Sequence, residues 1–198
     1  MRIIGITGGI GAGKSEVIEY LQEHYEAEVA KSDDIGHAAL KKGSICYLDI
    51  IDLLGFDIIE EDGELSRAKI SKIVHADKEK LDKLDAILHP YIGECIAKMI
   101  IDVRKETKYF FIEAALLLEA NYDEMCDEVW YIYASPEIRC KRLSKSRDIS
   151  VSKARQIMAN QLSDEEFKEK CDFVIDNSGD FTDTIKQINS RIQKYEIV

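Results

Sequence analysis

The sequence predicts an α/β fold built on a five-stranded parallel sheet flanked by helices, and three observations support this prediction. First, five short runs are mostly solid apolar stretches rather than alternating ones, which is typical of strands buried on both faces of a parallel sheet. Second, helical stretches separate the runs, as an α/β architecture requires. Third, a glycine-rich loop of the pattern G-x-x-x-x-G-K-[ST] follows the first run. The runs are Ile3–Ile6, Ala27–Ala30, Tyr109–Ile112, Val129–Tyr133 and Phe173–Ile175.

Composition restricts the class of protein. The chain has 198 residues, of which 45% are hydrophobic and 33% charged, and this is typical of one globular domain. Its net charge of −11 argues against a nucleic-acid or anionic-membrane partner. The cysteines and histidines are dispersed and predict neither disulfides nor a metal cluster. With no signal peptide or membrane-spanning run visible, we expect a cytoplasmic monomer or weak homo-oligomer with small-molecule partners.

The glycine-rich loop predicts a nucleotide site. The first strand leads into Gly8–Ser15, and Val17, Ile18 and Leu21 then recur at helical spacing. Glycines allow backbone N–H groups to approach a polyphosphate, and the helix N-terminus adds unsatisfied donors. We expect Lys14 to reach the β- and γ-phosphates of ATP and the Ser15 hydroxyl to bind Mg²⁺. The residues expected around the nucleotide are Gly8, Gly9, Gly11, Ala12, Gly13, Lys14, Ser15 and Glu16.

The interval between the second and third runs is too long for a single crossover and is predicted to be helical. Pro90 is predicted to begin a new helix, because proline suits the first helical turn. We interpret residues 35–108 as a helical insertion that holds the second substrate, within a core of about residues 1–34 and 109–198. The apolar stripes of the insertion are Leu48, Ile51 and Leu54; Ile70, Ile73 and Val74; and Leu81, Leu84, Ile87 and Leu88.

Helix signals are clear in the C-terminal third. Ser135-Pro136-Glu137 is typical of an N-cap with proline at the first helical position. Ser163 and Glu166 form a capping-box pattern. After the turn 177–179, the spacing predicts an amphipathic final helix with the apolar residues Phe181, Ile185, Ile188 and Ile192.

Two carboxylates follow predicted strands, and each allows two interpretations. Asp33, next to Asp34, could accept a proton from an attacking hydroxyl, or either residue could cap a helix beginning near Ile35. Spacing alone does not decide between them. Glu113 ends the third strand, where phosphotransferases commonly keep a carboxylate near Mg²⁺, or it is a solvated strand end.

An island of basic residues stands out in this acidic chain. Arg139 and Arg142 are three residues apart and share a helix face, as expected for a bidentate clamp on phosphate oxygens. A solvated basic face is the alternative, and the phosphate-binding loop favours the clamp. The island comprises Arg139, Lys141, Arg142, Lys145 and Arg147.

Several segments together resemble the dephospho-CoA kinase family, within the nucleotide-kinase-like P-loop group, over essentially the whole chain. Ile4–Ser15 is similar to the opening of the family almost residue for residue. Leu88-His89-Pro90 ahead of a helix is not a general feature of P-loop proteins. The resemblance implies a three-layer fold and the reaction of ATP with dephospho-CoA to give CoA and ADP. Other similar segments are Asp62–Arg67, Leu116–Glu119, Ser135–Asp148 and Asp172–Asn177.

The resemblance also implies residue roles. It places the general base for the ribose 3′-hydroxyl on Asp33, and it assigns Lys14 and Arg142 to catalysis. Arg142 and Arg147 belong to a lid of about residues 137–160 over ATP, and Asn177 to the neighbourhood of the adenine. The residues implied on the dephospho-CoA side are Thr7, Asp33, Arg67, His89, Leu116 and Glu119.

The chain departs from the family pattern at four positions. Lys31 replaces an acid, His37 an arginine, Ala115 a proline and Phe167 a lysine. None of these changes removes the phosphate-binding loop or Asp33, so we expect activity to survive. Two alternatives stay open: a kinase for another small acceptor such as a nucleoside monophosphate, and a nucleotide-binding module with weak catalysis.

Overall fold

The structure, a computed structural model, describes residues 1–196 apart from the side chain of Arg147. Its centre is a five-stranded parallel sheet with the strand order β2-β3-β1-β4-β5. The predicted fold class and all five predicted strands are confirmed. The strands are β1 Arg2–Thr7, β2 Ala27–Lys31, β3 Tyr109–Glu113, β4 Glu128–Tyr133 and β5 Phe173–Asp176.

Helices follow or connect the strands along the chain. The described α-helices are α1 Lys14–His24, α2 Ser32–Ala39, α3 Tyr47–Leu54, α4 Arg67–Ala76, α5 Lys78–Val103, α6 Pro136–Arg147, α7 Val151–Met158, α8 Asp164–Lys170 and α9 Phe181–Glu196. Short 3₁₀ turns occur at Phe56–Ile58 and Tyr122–Met125.

The chain divides into two compact units. The sheet unit consists of Met1–Val29 together with the chain from Val103 onward, and the helical unit is Ala30–Asp102. In the sheet unit, Ile4 and Ile6 of β1 and Trp130 of β4 are fully buried in one core. The same core receives the apolar faces of α1 and α9. The consecutive residues Phe110–Ile112 of β3 are all fully buried, so this solid apolar strand is explained by burial on both faces.

The helical unit has a core of its own. Ile50 and Ile58 are fully buried there, and Leu84 of α5 packs with them. Leu48, which shares a predicted apolar stripe with Ile51 and Leu54, lies on α3 but is 69% exposed and does not join this core. It precedes Ile50 by two residues, about 200° around a helix of 3.6 residues per turn, and therefore lies on the opposite face of α3.

The helix predicted to begin at Pro90 does not exist as a separate element. Instead, α5 runs from Lys78 to Val103 with Pro90 inside it. Proline removes one backbone donor and crowds the preceding turn, at a cost of about 3 kcal/mol. The apolar residues Leu84, Ile92 and Ile96 bury one side of the helix both before and after the proline, and this burial offsets that cost.

Caps at the C-terminal helices are as predicted. The Ser135 hydroxyl accepts a hydrogen bond from the N–H of Ile138 at the start of α6. Ser163 and Glu166 form the reciprocal capping box of α8. Of the two interpretations left open for Asp33 and Asp34, the structure contradicts the helix cap, because α2 begins at Ser32 and its N-cap is Lys31. Both aspartates therefore lie in the first turn of α2.

Candidate active site

The loop between β1 and α1 has the arrangement that phosphate binding requires. β1 ends at Thr7 and α1 begins at Lys14, so the unsatisfied N–H groups of a helix N-terminus border the loop. Within the loop, the N–H of Ala12 donates to the carbonyl of Gly9 over 3.1 Å. The Lys14 ammonium donates to the carbonyl of Gly8 over 2.8 Å, which folds this side chain back over the loop.

Two loop glycines are required by conformation and by space. Gly13 has a φ of 92°, which side chains rarely adopt, and a Cβ on it would collide with Nδ2 of Asn177. Gly8 has a φ of 150°, and a Cβ there would collide with the carbonyl oxygen of Ile132. The loop is therefore packed directly against β4 and against the segment that follows β5.

Ile10, at the tip of the loop, is held through both of its backbone polar groups. Its N–H donates to Oε1 of Gln161 over 2.9 Å, and its carbonyl accepts from Nε of Arg139 over 2.9 Å. Nη2 of Arg139 also donates to the same Gln161 oxygen over 3.2 Å. The Ile10 side chain packs in a small cluster with Leu143 and Ala154, which belong to α6 and α7. The helices of the predicted lid are thus attached to the loop.

Arg139 has a role that neither sequence-based alternative predicted. It is only 6% exposed, so it is not part of a solvated basic face. Its Nη1 lies 3.7 Å from Oδ1 of Asp164, and Asp164 also accepts a 2.6 Å bond from the Tyr131 hydroxyl. Burial raises the pKa of Tyr131, and the bond to Asp164 raises it further, so the hydroxyl remains a donor. The Arg139 guanidinium is used to hold the loop backbone.

A second set of hydrogen bonds holds the loop at the carbonyl of Ala12. This oxygen accepts from Nη1 of Arg142 over 3.1 Å and from Nδ2 of Asn177 over 2.9 Å. Nη2 of Arg142 donates to the carbonyl of Asn177 over 2.8 Å, which joins the two donors to each other. Asn177 is fully buried, and its Oδ1 accepts a 2.8 Å bond from the hydroxyl of Thr184. Arg142 and Asn177 were predicted site residues, and the structure brings both to the loop.

Gln161 and Thr184 were not found from the sequence. Gln161 lies in the turn between α7 and α8, and a single glutamine in a polar turn carries no signal. Thr184, in contrast, did have a signal in the sequence. It occupies position i of the buried stripe i, i+4, i+8 completed by Ile188 and Ile192, and a polar residue in such a stripe indicates a buried hydrogen bond.

Other predicted site residues of the sheet unit lie at the end of β3. Glu113 is half-buried and pairs in register with Ile6, next to the start of the loop. The Thr7 hydroxyl donates to the carbonyl of Ala115 over 3.4 Å. Leu116 is 43% exposed and Glu119 is exposed, both in the turn after β3. The side chain of the remaining predicted residue, Arg147, lies outside the described part of the chain.

The predicted site residues of the helical unit are less enclosed. Asp33 is exposed in the first turn of α2, and Arg67 is exposed at the first position of α4. His89 is half-buried on α5, with Nε2 3.9 Å from Oδ1 of Asp85 one turn earlier. Burial raises the pKa of the Asp85 carboxyl, and His89 opposes that rise.

The departures from the family pattern are accommodated without distortion of the loop. Phe167 is buried on α8 and stacks on Tyr131, with ring centroids 4.6 Å apart and an interplanar angle of 11°. Ala115 supplies the carbonyl that Thr7 contacts. Lys31, the N-cap of α2, and His37, in its last turn, are both exposed.

Among residues 1–196, no three His, Cys, Asp or Glu side chains form a group that could hold a metal ion by themselves. Phosphotransferases in general bind Mg²⁺ through one or two protein oxygens together with substrate phosphates and waters. Ser15, at the start of α1, and Glu113, at the end of β3, supply oxygens of that type. None of the described helices has the length and apolar character needed to cross a membrane.

The fold and the loop define the class of protein: this is a P-loop kinase fold, with a phosphate-binding loop between the first strand and first helix. The family model for dephospho-CoA kinase, CoaE, matches residues 2–183. The chain therefore belongs to the dephospho-CoA kinase family.

Individual relatives agree with the family match. A dephospho-CoA kinase from Carboxydothermus hydrogenoformans is 37% identical over 195 residues, which cover 98% of this chain and 94% of the relative. The solved dephospho-CoA kinase from Campylobacter jejuni superposes with a TM-score of 0.72 at 26% identity, covering 98% of each chain. A solved Thermus thermophilus protein gives a TM-score of 0.81 at 25% identity, covering 98% of this chain and 97% of its own.

Proposed function

We propose that this protein transfers the γ-phosphoryl group of ATP to the ribose 3′-hydroxyl of dephospho-CoA, giving CoA and ADP, the last step of coenzyme A synthesis. The observation that carries this proposal is the family match across residues 2–183. An intact phosphate-binding loop supports it, since the family reaction needs one.

ATP binds with its phosphates on the loop. Backbone N–H groups of the loop and the N-terminus of α1 surround the phosphates, and the Lys14 ammonium turns from the loop carbonyl to the β- and γ-phosphates. When bound, Mg²⁺ neutralises charge on the phosphate oxygens. Ser15 would hold it directly, and Glu113 would hold it through water. Arg142 is the further proposed catalytic cation: its guanidinium lies against the loop at the Ala12 carbonyl, and a positive charge this close to the loop favours the negative charge that develops on the phosphates during transfer.

Asp33 is the proposed general base. It follows β2 by two residues, and sheets of this kind bind ligands beyond the carboxyl ends of their strands. Its exposed carboxylate can accept the proton of the 3′-hydroxyl as that oxygen attacks phosphorus. The residues proposed to contact dephospho-CoA are Thr7, Asp33, Arg67, His89, Leu116 and Glu119.

The regions around these residues have proposed roles as well. The helical unit holds dephospho-CoA, and α6 and α7 act as a lid over ATP that excludes water. Arg147 contributes its charge to that lid. Asn177 lies near the adenine and also holds the loop through Ala12.

One assay tests the proposal against its alternatives. The purified full chain is incubated with ATP, Mg²⁺ and one acceptor at a time, either dephospho-CoA or a nucleoside monophosphate, and ADP release is followed. We expect ADP release with dephospho-CoA alone, and formation of CoA by mass spectrometry. If ADP were released with a nucleoside monophosphate instead, the protein would be a kinase for that acceptor. If ATP bound without ADP release, the protein would be a nucleotide-binding module. Lys14→Met measures the background from contaminating enzymes.

A further inference from the structure

One member of the buried stripe on α9 is polar. Ile188 and Ile192 are buried in the core of the sheet unit, and Thr184, one turn earlier, is fully buried as well. A buried hydroxyl is unfavourable unless it has a hydrogen bond, and a valine of similar shape would fill the same space. The partner of the Thr184 hydroxyl therefore decides what this residue does.

The nearer partner is the side chain of Asn177, and the carbonyl of Asp176 lies farther from the same hydroxyl, at 3.5 Å. Oγ1 of Thr184 donates to Oδ1 of Asn177 over 2.8 Å, and Nδ2 of Asn177 donates to the carbonyl of Ala12 over 2.9 Å. A carboxamide accepts at one end and donates at the other. With Thr184 donating to the oxygen, the NH₂ group faces Ala12. Rotation of the amide by half a turn would place two acceptors, Oδ1 and the Ala12 oxygen, against each other.

The orientation of the Ala12 carbonyl determines the orientation of the next N–H. A trans peptide is planar, so its C=O and N–H point in opposite directions. Because the Ala12 carbonyl points at Asn177 and Arg142, the N–H of Gly13 points away from them. Gly13 is the N-cap residue of α1, and N–H groups at this point of a phosphate-binding loop are those that contact phosphate.

We propose that Thr184 is a positioning residue for the nucleotide phosphates. It acts through Asn177, fixing the peptide between Ala12 and Gly13 so that the Gly13 N–H is aimed at a phosphate before ATP arrives. All four residues belong to the sheet unit. The inference rests on the proposed function only in that the loop binds the phosphates of ATP.

The test is the affinity for ADP, measured by calorimetry on purified full-length variants. Thr184→Val removes the hydroxyl and keeps the shape, and we expect about three- to ten-fold weaker ADP binding, the usual effect of one lost buried hydrogen bond. Thr184→Ser keeps the hydroxyl and should bind ADP like the unchanged protein. Thr182→Val is the matched control, because Thr182 is exposed on the same helix and its hydroxyl donates to Asp180, away from the loop. Thermal melting verifies that each variant is folded.

A double-mutant cycle tests the route through Asn177. Asn177→Ala should weaken ADP binding, and adding Thr184→Val to it should change the affinity no further. Unchanged ADP affinity in folded Thr184→Val, an equal loss in Thr184→Ser, or additive losses in the cycle would each overturn the proposal. The assay contains no dephospho-CoA. A protein that shows these ADP effects but does not phosphorylate dephospho-CoA would contradict the proposed function and leave this inference standing.

Discussion

The two compact units differ in how firmly the fold holds their predicted site residues. In the sheet unit, Asn177 is fully buried and bonded to the loop that it supports, and Arg142 is bonded to the same loop. In the helical unit, Asp33 and Arg67 are exposed. Groups that are already ordered lose little entropy when a ligand binds. The loop residues are thus ordered without a ligand, and we expect the residues of the helical unit to be ordered by the proposed substrate.

The largest effect is expected at the proposed base. Asp33→Asn should lower kcat by roughly 10²–10⁴-fold, the usual range for loss of a general base, because an amide cannot take the proton of the 3′-hydroxyl. ADP affinity, a property of the sheet unit, should be nearly unchanged. Steady-state kinetics and ADP titration measure the two quantities. Asp34→Asn, a change at the next exposed carboxylate of α2, is the control, and near-normal kcat in Asp33→Asn would remove Asp33 from the mechanism.

The second prediction tests whether the buried residues of the sheet unit hold the loop, and it concerns Arg139. Arg139→Gln should lower the free energy of unfolding by about 2–3 kcal/mol, since Ile10 and Asp164 lose a charged donor in a buried setting. ADP affinity should fall as well, because the tip of the loop is released. Denaturant titration and calorimetry measure these effects, with exposed Lys141→Gln on the same helix as the control. A protein of unchanged stability would mean that Arg139 does not hold the loop.

The third prediction tests the exposed site residues of the helical unit, and it concerns Arg67. Arg67→Ala should raise KM for dephospho-CoA about ten-fold, consistent with a lost hydrogen bond to a charged group. The melting temperature should stay unchanged, because exposed substitutions away from special features have small effects on stability. Lys72→Ala removes an exposed cation from the same helix and serves as the control. If Arg67→Ala strongly lowered the melting temperature, Arg67 would stabilise the fold of the helical unit. That result would contradict the contrast between firmly held residues in the sheet unit and loosely held ones in the helical unit.

The same contrast explains what the sequence could predict. The strands, the loop and the caps follow from short local patterns, so Ile3–Ile6, Gly8–Ser15 and Ser163 were recognised. The contacts that hold the loop join residues far apart in the chain. Arg139 was predicted to clamp phosphate rather than to hold the loop, and Gln161 was not predicted at all, because their partner, Ile10, lies more than a hundred residues away. Pro90 shows the opposite error: a reliable local rule was overridden by burial along α5.

A smaller effect on stability than at Arg139 is expected at Glu128, which anchors the end of α9 in the sheet unit. Glu128 is 6% exposed and accepts bonds from Arg191 over 2.7 Å, from Trp130 over 2.8 Å and from Tyr195 over 2.6 Å. Burial acts to raise the pKa of Glu128, but these hydrogen bonds outweigh it and hold the pKa below its usual range. The carboxylate therefore stabilises the fold above the unfolded-state pKa of about 4.3, and this stability is lost as pH falls through the lower folded-state value.

Glu128→Gln should accordingly reduce the free energy of unfolding by about 1–2 kcal/mol at neutral pH. The difference from the unchanged protein should shrink as pH falls below about 4, because protonation then neutralises Glu128 in the unchanged protein and makes it resemble the uncharged glutamine of the variant. Denaturant titrations at neutral and acidic pH measure it, with exposed Glu19→Gln as the control. If the difference in the free energy of unfolding persisted in acid, Glu128 would contribute through packing rather than through its charge. The packing of α9, the helix that carries Thr184, would then not depend on the protonation of Glu128.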